Sequence, residues 1–181
     1  MYTTYTGVMG SALTTTDTVN VGCCDGGSGL SSRNGLLFQG SKITLPGISD
    51  GSSNTWIVGE QSGHVRDAAG VPVGVITSQG PHGWAMGCDS NTPANGSRVF
   101  NCTAVRYEIN RIGIVSNTTS GAATGVNNNT GQNIPFSSNH TGGANMLAAD
   151  GTVRFFTNST PLLTLSALCT RDGGEAVSME P

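Results

Sequence analysis

Charge is scarce in this chain. Only 10% of its 181 residues are charged, Lys42 is the single lysine, and the net charge is -3. The seven arginines are scattered, so no basic cluster neutralises phosphates and nucleic acid is not an expected partner. Long apolar runs are missing too. Nothing approaches the ~18 consecutive apolar residues that suggest a membrane-spanning helix, so no span is expected in this chain. The opening MYTTYTGVMG has no basic segment followed by an apolar one, so no export signal is expected either. Cys-x-x-Cys spacing is absent, which removes the common zinc frameworks. The nucleophile signatures S-x-x-K and H-E-x-x-H are absent as well. Ser28, in Gly26-Gly27-Ser28-Gly29, lacks the elbow spacing and reads as loop.

What the chain has in quantity is turn-forming residues. There are 27 glycines, with abundant Asn, Ser and Thr, residues that favour turns over helix interiors. The length fits one domain, 1–181, with a real core. Five cysteines in a lysine-poor chain point to an oxidising compartment. Cys88 with Cys102 is the simplest pairing and Cys169 is a further candidate. The adjacent Cys23 and Cys24 would strain a mutual bridge. An oxidising compartment and a missing export signal disagree, and a chain cut from a longer exported parent would reconcile them.

Strands are expected near residues 3–9, 35–39, 55–60, 71–77, 84–86 and 103–109. Residues 45–48 read as a helical turn with Pro46 in its first turn. Residues 113–134 read as a long excursion. The last third is the most legible. Residues 144–149 and 152–157 flank Asp150-Gly151, a pattern that predicts a hairpin with a two-residue loop and both turn residues at positive φ. Ser159 or Thr160 is expected to cap a helix with Pro161 in its first turn. Leu162, Leu163, Leu165, Ala167 and Leu168 would form its apolar face, and Asp172-Gly173-Gly174 would stop it. The fold class is α+β, mainly β: a twisted antiparallel sheet with one short C-terminal helix.

Asp50, Ser52 and Asn54 set side-chain oxygens at alternate positions, with Glu60 downstream and Asp150 on the hairpin turn. Hard cations want six to eight oxygens, so these five residues are the candidate Ca²⁺ ligands. The simpler role of Asp50 and Asn54 is to bond nearby backbone N–H groups. His140, Asp150 and Glu60 are the candidate catalytic groups, for a reaction of metal-activated water with a carboxylate or imidazole as base. A strand between His140 and Asp150 would hold them at opposite ends, so His140 is expected to bond backbone near Gly142-Gly143. His64 and His82 read as loop residues. Trp56, Trp84, Tyr107 and Phe136 could form a glycan platform, although core packing is the simpler role of each.

Three segments carry a family resemblance: Ile48–Glu60 (ISDGSSNTWIVGE), Pro135–Gly151 with His140 ten residues before Asp150, and Leu165–Glu175 (LSALCTRDGGE). Together they resemble the bacterial H-x9-DG family of pseudopilin-like secreted proteins, related to type II secretion pseudopilins. The resemblance implies a pilin-like globular domain that follows a cleavable leader and a long hydrophobic helix, neither of which is evident in this chain. It also implies an extracellular, periplasmic or cell-surface location, with pilus-like or surface assembly partners for the full-length parent, and it raises calcium as a stabilising ion. Two other functions remain open on the residues: a calcium-dependent hydrolase of small esters or lactones, and a glycan-binding module.

Overall fold

The computed structural model of the chain describes residues 4–14, 18–21, 29–61, 64–75, 87, 100–115, 124–126 and 132–174. These residues form nine strands and one short helix. The strands are β1 (Tyr5–Ser11), β2 (Thr18–Val21), β3 (Gly29–Ser32), β4 (Trp56–Glu60), β5 (His64–Arg66), β6 (Pro72–Val75), β7 (Cys102–Val105), β8 (Gly143–Ala148) and β9 (Val153–Thr157); the helix α1 is Leu162–Ala167. The expected class, mainly β with a short C-terminal helix, is what the chain forms. The main sheet has the order β7-β1-β4-β8-β9, with β2-β3 and β5-β6 as separate two-stranded ribbons. One pairing departs from the expected antiparallel sheet. Strand β7 runs parallel to β1, with Gly7 opposite Cys102 and Ser11 opposite Val105, so the sheet is mixed.

Alternation along the strands builds the core. In β8, Ala144, Met146 and Ala148 are buried on one face, while Asn145 and Leu147 point to the other. Trp56 of β4 is fully buried on the same side as Ala148 and meets the Phe156 ring edge-on, at 4.9 Å and 84°. Helix α1 closes this face with Leu165 and Leu168, and the Trp56 backbone N–H donates to Leu168 O at 2.9 Å.

Several local expectations are corrected. Residues 35–39 form bends instead of a strand, although Gly35 N and Leu37 N still donate to Met9 O and Val8 O. A Cβ on Gly35 would lie 2.5 Å from Gly10 N, so this stretch crosses β1 too closely for side chains to alternate. The Asp-Gly turn holds three loop residues, Ala149, Asp150 and Gly151, between the Ala148 N and Thr152 O that close it. Only Gly151 has positive φ, at 90°, as in a type I turn followed by a left-handed residue. Helix α1 lacks a side-chain cap, its N-cap position being Pro161, and it ends at Leu168, ahead of Asp172. Leu163 is 76% exposed, so it does not belong to the apolar face. The turn at Leu45–Gly47 is a 3-10 helix with Pro at its start, as expected. Strands β2, β3 and β5 were not anticipated, and the expected strand at 84–86 lies outside the described residues. So does most of the 113–134 excursion. Its described residues 132–134 are buried, with the Asn133 side chain bonded to Leu30 and Ala104.

Two substitutions test this packing. Trp56→Ala should cost about 3–5 kcal/mol of unfolding free energy in a urea titration. In Gly143→Ala the added Cβ would fall 1.9 Å from the Phe156 carbonyl oxygen, a backbone atom that cannot swing aside. The titration should show a loss at or above the ~1–3 kcal/mol typical of overpacking.

Candidate functional site

Strand β4 has polar groups at both ends, and the candidate residues divide between them. At its C-terminal end Glu60 alternates with Val58 onto the sheet face away from α1, yet its side chain is only 8% exposed. Oε2 accepts from the Asn145 backbone N–H at 2.6 Å and from Asn145 Nδ2 at 3.3 Å. Oε1 lies 3.5 Å from His140 Nε2, and the imidazole is 64% exposed. A carboxylate taken this far from water needs its partners, because an uncompensated buried charge is costly. The expected role of His140 is corrected accordingly: its side chain meets Glu60, not the backbone at Gly142-Gly143. The backbone N–H of His140 donates to Ser138 Oγ at 3.1 Å.

The other end joins the Asp50 loop, the Asp150 turn and the segment after α1. Asp50 Oδ2 accepts from Gly173 N at 2.8 Å and Oδ1 from Gly174 N at 3.1 Å, while Asp50 N donates to Arg171 O. Asn54 Nδ2 donates to Asp50 O at 3.2 Å. Ser52 contributes its carbonyl, which accepts Asp150 N at 3.1 Å; beside it Ala149 N donates to Thr55 O at 2.9 Å. Asp150 Oδ1 accepts Thr152 N at 2.8 Å across its own turn. That backbone bond, with a smaller contribution from the Thr152 side chain, holds the exposed Asp150 carboxyl below the ordinary carboxylate range. Arg171 ties the corner together. Its guanidinium donates to the carbonyls of Arg33 and Gly35 and lies over the Phe38 ring.

The candidate sets are therefore split. Glu60 and His140 meet, while Asp150 stands at the far end of β8. Of the five candidate calcium ligands, Asp50, Ser52, Asn54 and Asp150 share one corner and Glu60 does not. A five-residue strand separates them by roughly 13 Å at ~3.3 Å per residue. Among the described residues no three His, Cys, Asp or Glu side chains gather as a metal group. The Glu60–His140 pairing escaped sequence reading because the two are eighty residues apart in the chain. The alternation of β4, which turns Glu60 to the face of Val58, was the available signal.

The sheet face opposite α1 carries exposed apolar side chains on either side of the Glu60–Asn145 pair. Tyr5 (52% exposed), Val153 (61%) and Phe155 (47%) stand on it beside Val58 and Leu147. At the Asp50 end a groove of about 790 Å³ runs between this face and residues 36–48, walled by Leu36, Phe38, Ile43, Leu45, Ile57 and Val58. Trp56 and Phe136 are buried, so they give a glycan platform no surface, and Tyr107 donates its hydroxyl to Thr124 O. Trp84, His82 and Cys88 lie outside the described residues. Cys102 borders the groove, whereas Cys169 is an unbridged thiol in the core whose ionisation burial pushes far up.

Three outcomes follow from this geometry. In chelator Asp50→Ala should lower stability by about 1 kcal/mol through its lost hydrogen bonds; a calcium-dependent rise in Tm that Asp50→Ala abolishes would place a metal at the corner, and no calcium shift in wild type would leave the loop held by those bonds alone. Cys169 should resist iodoacetamide until the chain is unfolded, as peptide mass mapping would show. Because the Asp150 carboxyl is held below its usual range, the stability it contributes is present at neutral pH and is lost as pH falls through the acid range. Asp150→Asn should flatten that part of a plot of Tm against pH.

No curated protein and no solved structure matches this chain. One family does match, over residues 3–163, described as "Protein of unknown function (DUF1559)", a family of bacterial proteins that are often pseudopilin-like. With that match spanning nearly the whole chain, the protein belongs to the DUF1559 family.

Proposed function

We propose that the chain is the exposed domain of a pseudopilin-like surface or secretion-associated protein of the H-x9-DG kind, and that the sheet face opposite α1 is where assembly partners meet it. The observation that carries this reading is the family match over residues 3–163. That face supports it. Tyr5, Val153 and Phe155 are exposed on it, and Leu37, Ile43 and Leu45 are exposed along the groove, apolar side chains that a partner would cover. Among the described residues no helix is long and apolar enough to cross a membrane. On this reading the parent is displayed outside the cytoplasm, with this domain contributing shape and contact surface in place of catalysis.

Calcium is kept within the proposal as a stabilising ion at the corner of Asp50 and Asp150, where two acid-bearing turns abut. The hydrolase and glycan readings draw no specific support from the site.

Fractionation of a producing bacterium with an antibody against this domain tests the reading. The full-length protein should appear in the envelope or medium, and a purely cytosolic protein would overturn it. Leu147→Glu, on the same sheet face, should leave the Tm within a few degrees of wild type and release the protein from envelope complexes on native gels.

A further inference from the structure

Strand β8 pairs with β4 in one register, with Trp56 opposite Ala148, Val58 opposite Leu147 and Gly59 opposite Met146. Backbone pairing alone does not specify that choice. A slip by one residue would turn Leu147 and Asn145 into the core, so side-chain alternation forbids it. A slip by two keeps the faces: Val58 would lie opposite Asn145 or Ala149 and Gly59 opposite Ala144 or Ala148, while Trp56 would come opposite Met146 or Asp150 and leave the Phe156 ring.

Three features lower the cost of such a slip. Strand β4 carries an irregularity between Trp56 and Val58, which already sets two residues against one. Gly59 has no side chain to catch on a neighbour. The hairpin β8–β9 is paired to itself through five residue pairs and could move along β4 as a unit. At the Asp150 end the fastening is by backbone, Ala149 N to Thr55 O and Asp150 N to Ser52 O, which any sequence in a shifted register could re-form.

The Glu60 end is different, because side chains meet there. Glu60 receives the Asn145 N–H and the Asn145 amide, lies 3.5 Å from His140 Nε2, and its carboxylate is almost out of water. In either two-residue slip Glu60 would face Gly143 or Leu147. It would lose the amide donor and the imidazole together, leaving a buried charge without side-chain partners. From this geometry we infer that Glu60, Asn145 and His140 form the register key of the β8–β9 hairpin. The nine residues between His140 and Asp150 are the length of chain that this key and the turn must bracket. The motif thus acts as a gauge: its histidine fixes where β8 begins against β4, and its Asp-Gly fixes where β8 ends.

Cross-strand nuclear Overhauser contacts read the register directly in the intact chain. Wild type should show one set, Val58 to Leu147 and Gly59 to Met146. In His140→Ala/Asn145→Ala a second set, joining Val58 to residue 145 or to Ala149, should appear at a tenth or more of the main intensity. A single wild-type set in that variant would overturn the inference. Should the double variant fail to fold, His140→Ala alone decides, since its side chain is largely exposed. Amide exchange at Asn145 and Leu147 should speed up at least tenfold while the β1–β7 amides hold their rates. Unchanged rates, or a uniform acceleration over the sheet, would overturn it.

Discussion

Strand β4 is hydrogen-bonded along both edges, to β1 on one side and β8 on the other, and its first backbone N–H is taken by the carbonyl of Leu168. A strand so enclosed has no water to satisfy its backbone, so each neighbour must be in place before it is stable. The rest of the structure supplies those neighbours. Trp56 fills the space under α1, Phe136 lies against the bare Cα of Gly59, and the Asp50 loop, the Asp150 turn and the chain after α1 converge on the beginning of the strand. The three sequence segments that carry the family resemblance are thus one place in space. They are β4 with its preceding loop, the hairpin paired to it, and the chain that covers its start.

The elements that could be read in advance were those whose local chemistry agreed with their tertiary setting. TWIVGE became β4, the apolar runs around Asp150-Gly151 became β8 and β9, and the proline turn at Leu45–Gly47 formed as its sequence suggests. GLLFQ had equally good strand composition and formed none, because Gly35 passes within contact distance of the Gly10 backbone and the chain there is shaped by that crossing. The parallel pairing of β1 with β7 has no local signature. It joins residues nearly a hundred positions apart, and only the assembled sheet reveals it.

The site was legible to a lesser degree and for a different reason. Asp50, Glu60, His140 and Asp150 were each recognisable as polar residues worth placing. Their types could not say which of them would meet. Oxygen-bearing residues at alternate positions suggest a cation loop, but the same oxygens serve equally as acceptors for backbone donors, and here Asp50 takes Gly173 and Gly174. Glu60 looked like one more ligand in a series. Its burial, which makes it dependent on Asn145 and His140, comes from the neighbours packed around it once the sheet is assembled.

The order β7-β1-β4-β8-β9 also governs how quickly the domain can form. Only the β8–β9 pair is joined by a short loop; every other pairing in the main sheet closes a span of dozens of residues. Chains dominated by such distant contacts fold slowly, because the entropy of loop closure is lost before the contacts reward it. Within the main sheet the hairpin at the C-terminal end is the one part able to form early, beside the local ribbons β2–β3 and β5–β6. The first strand of the chain, β1, waits between two partners that are synthesised much later. Nascent chains of this protein therefore complete the pairing of β4 only when β8 has been made, and a holding partner during synthesis would have the open edge of β4 to protect.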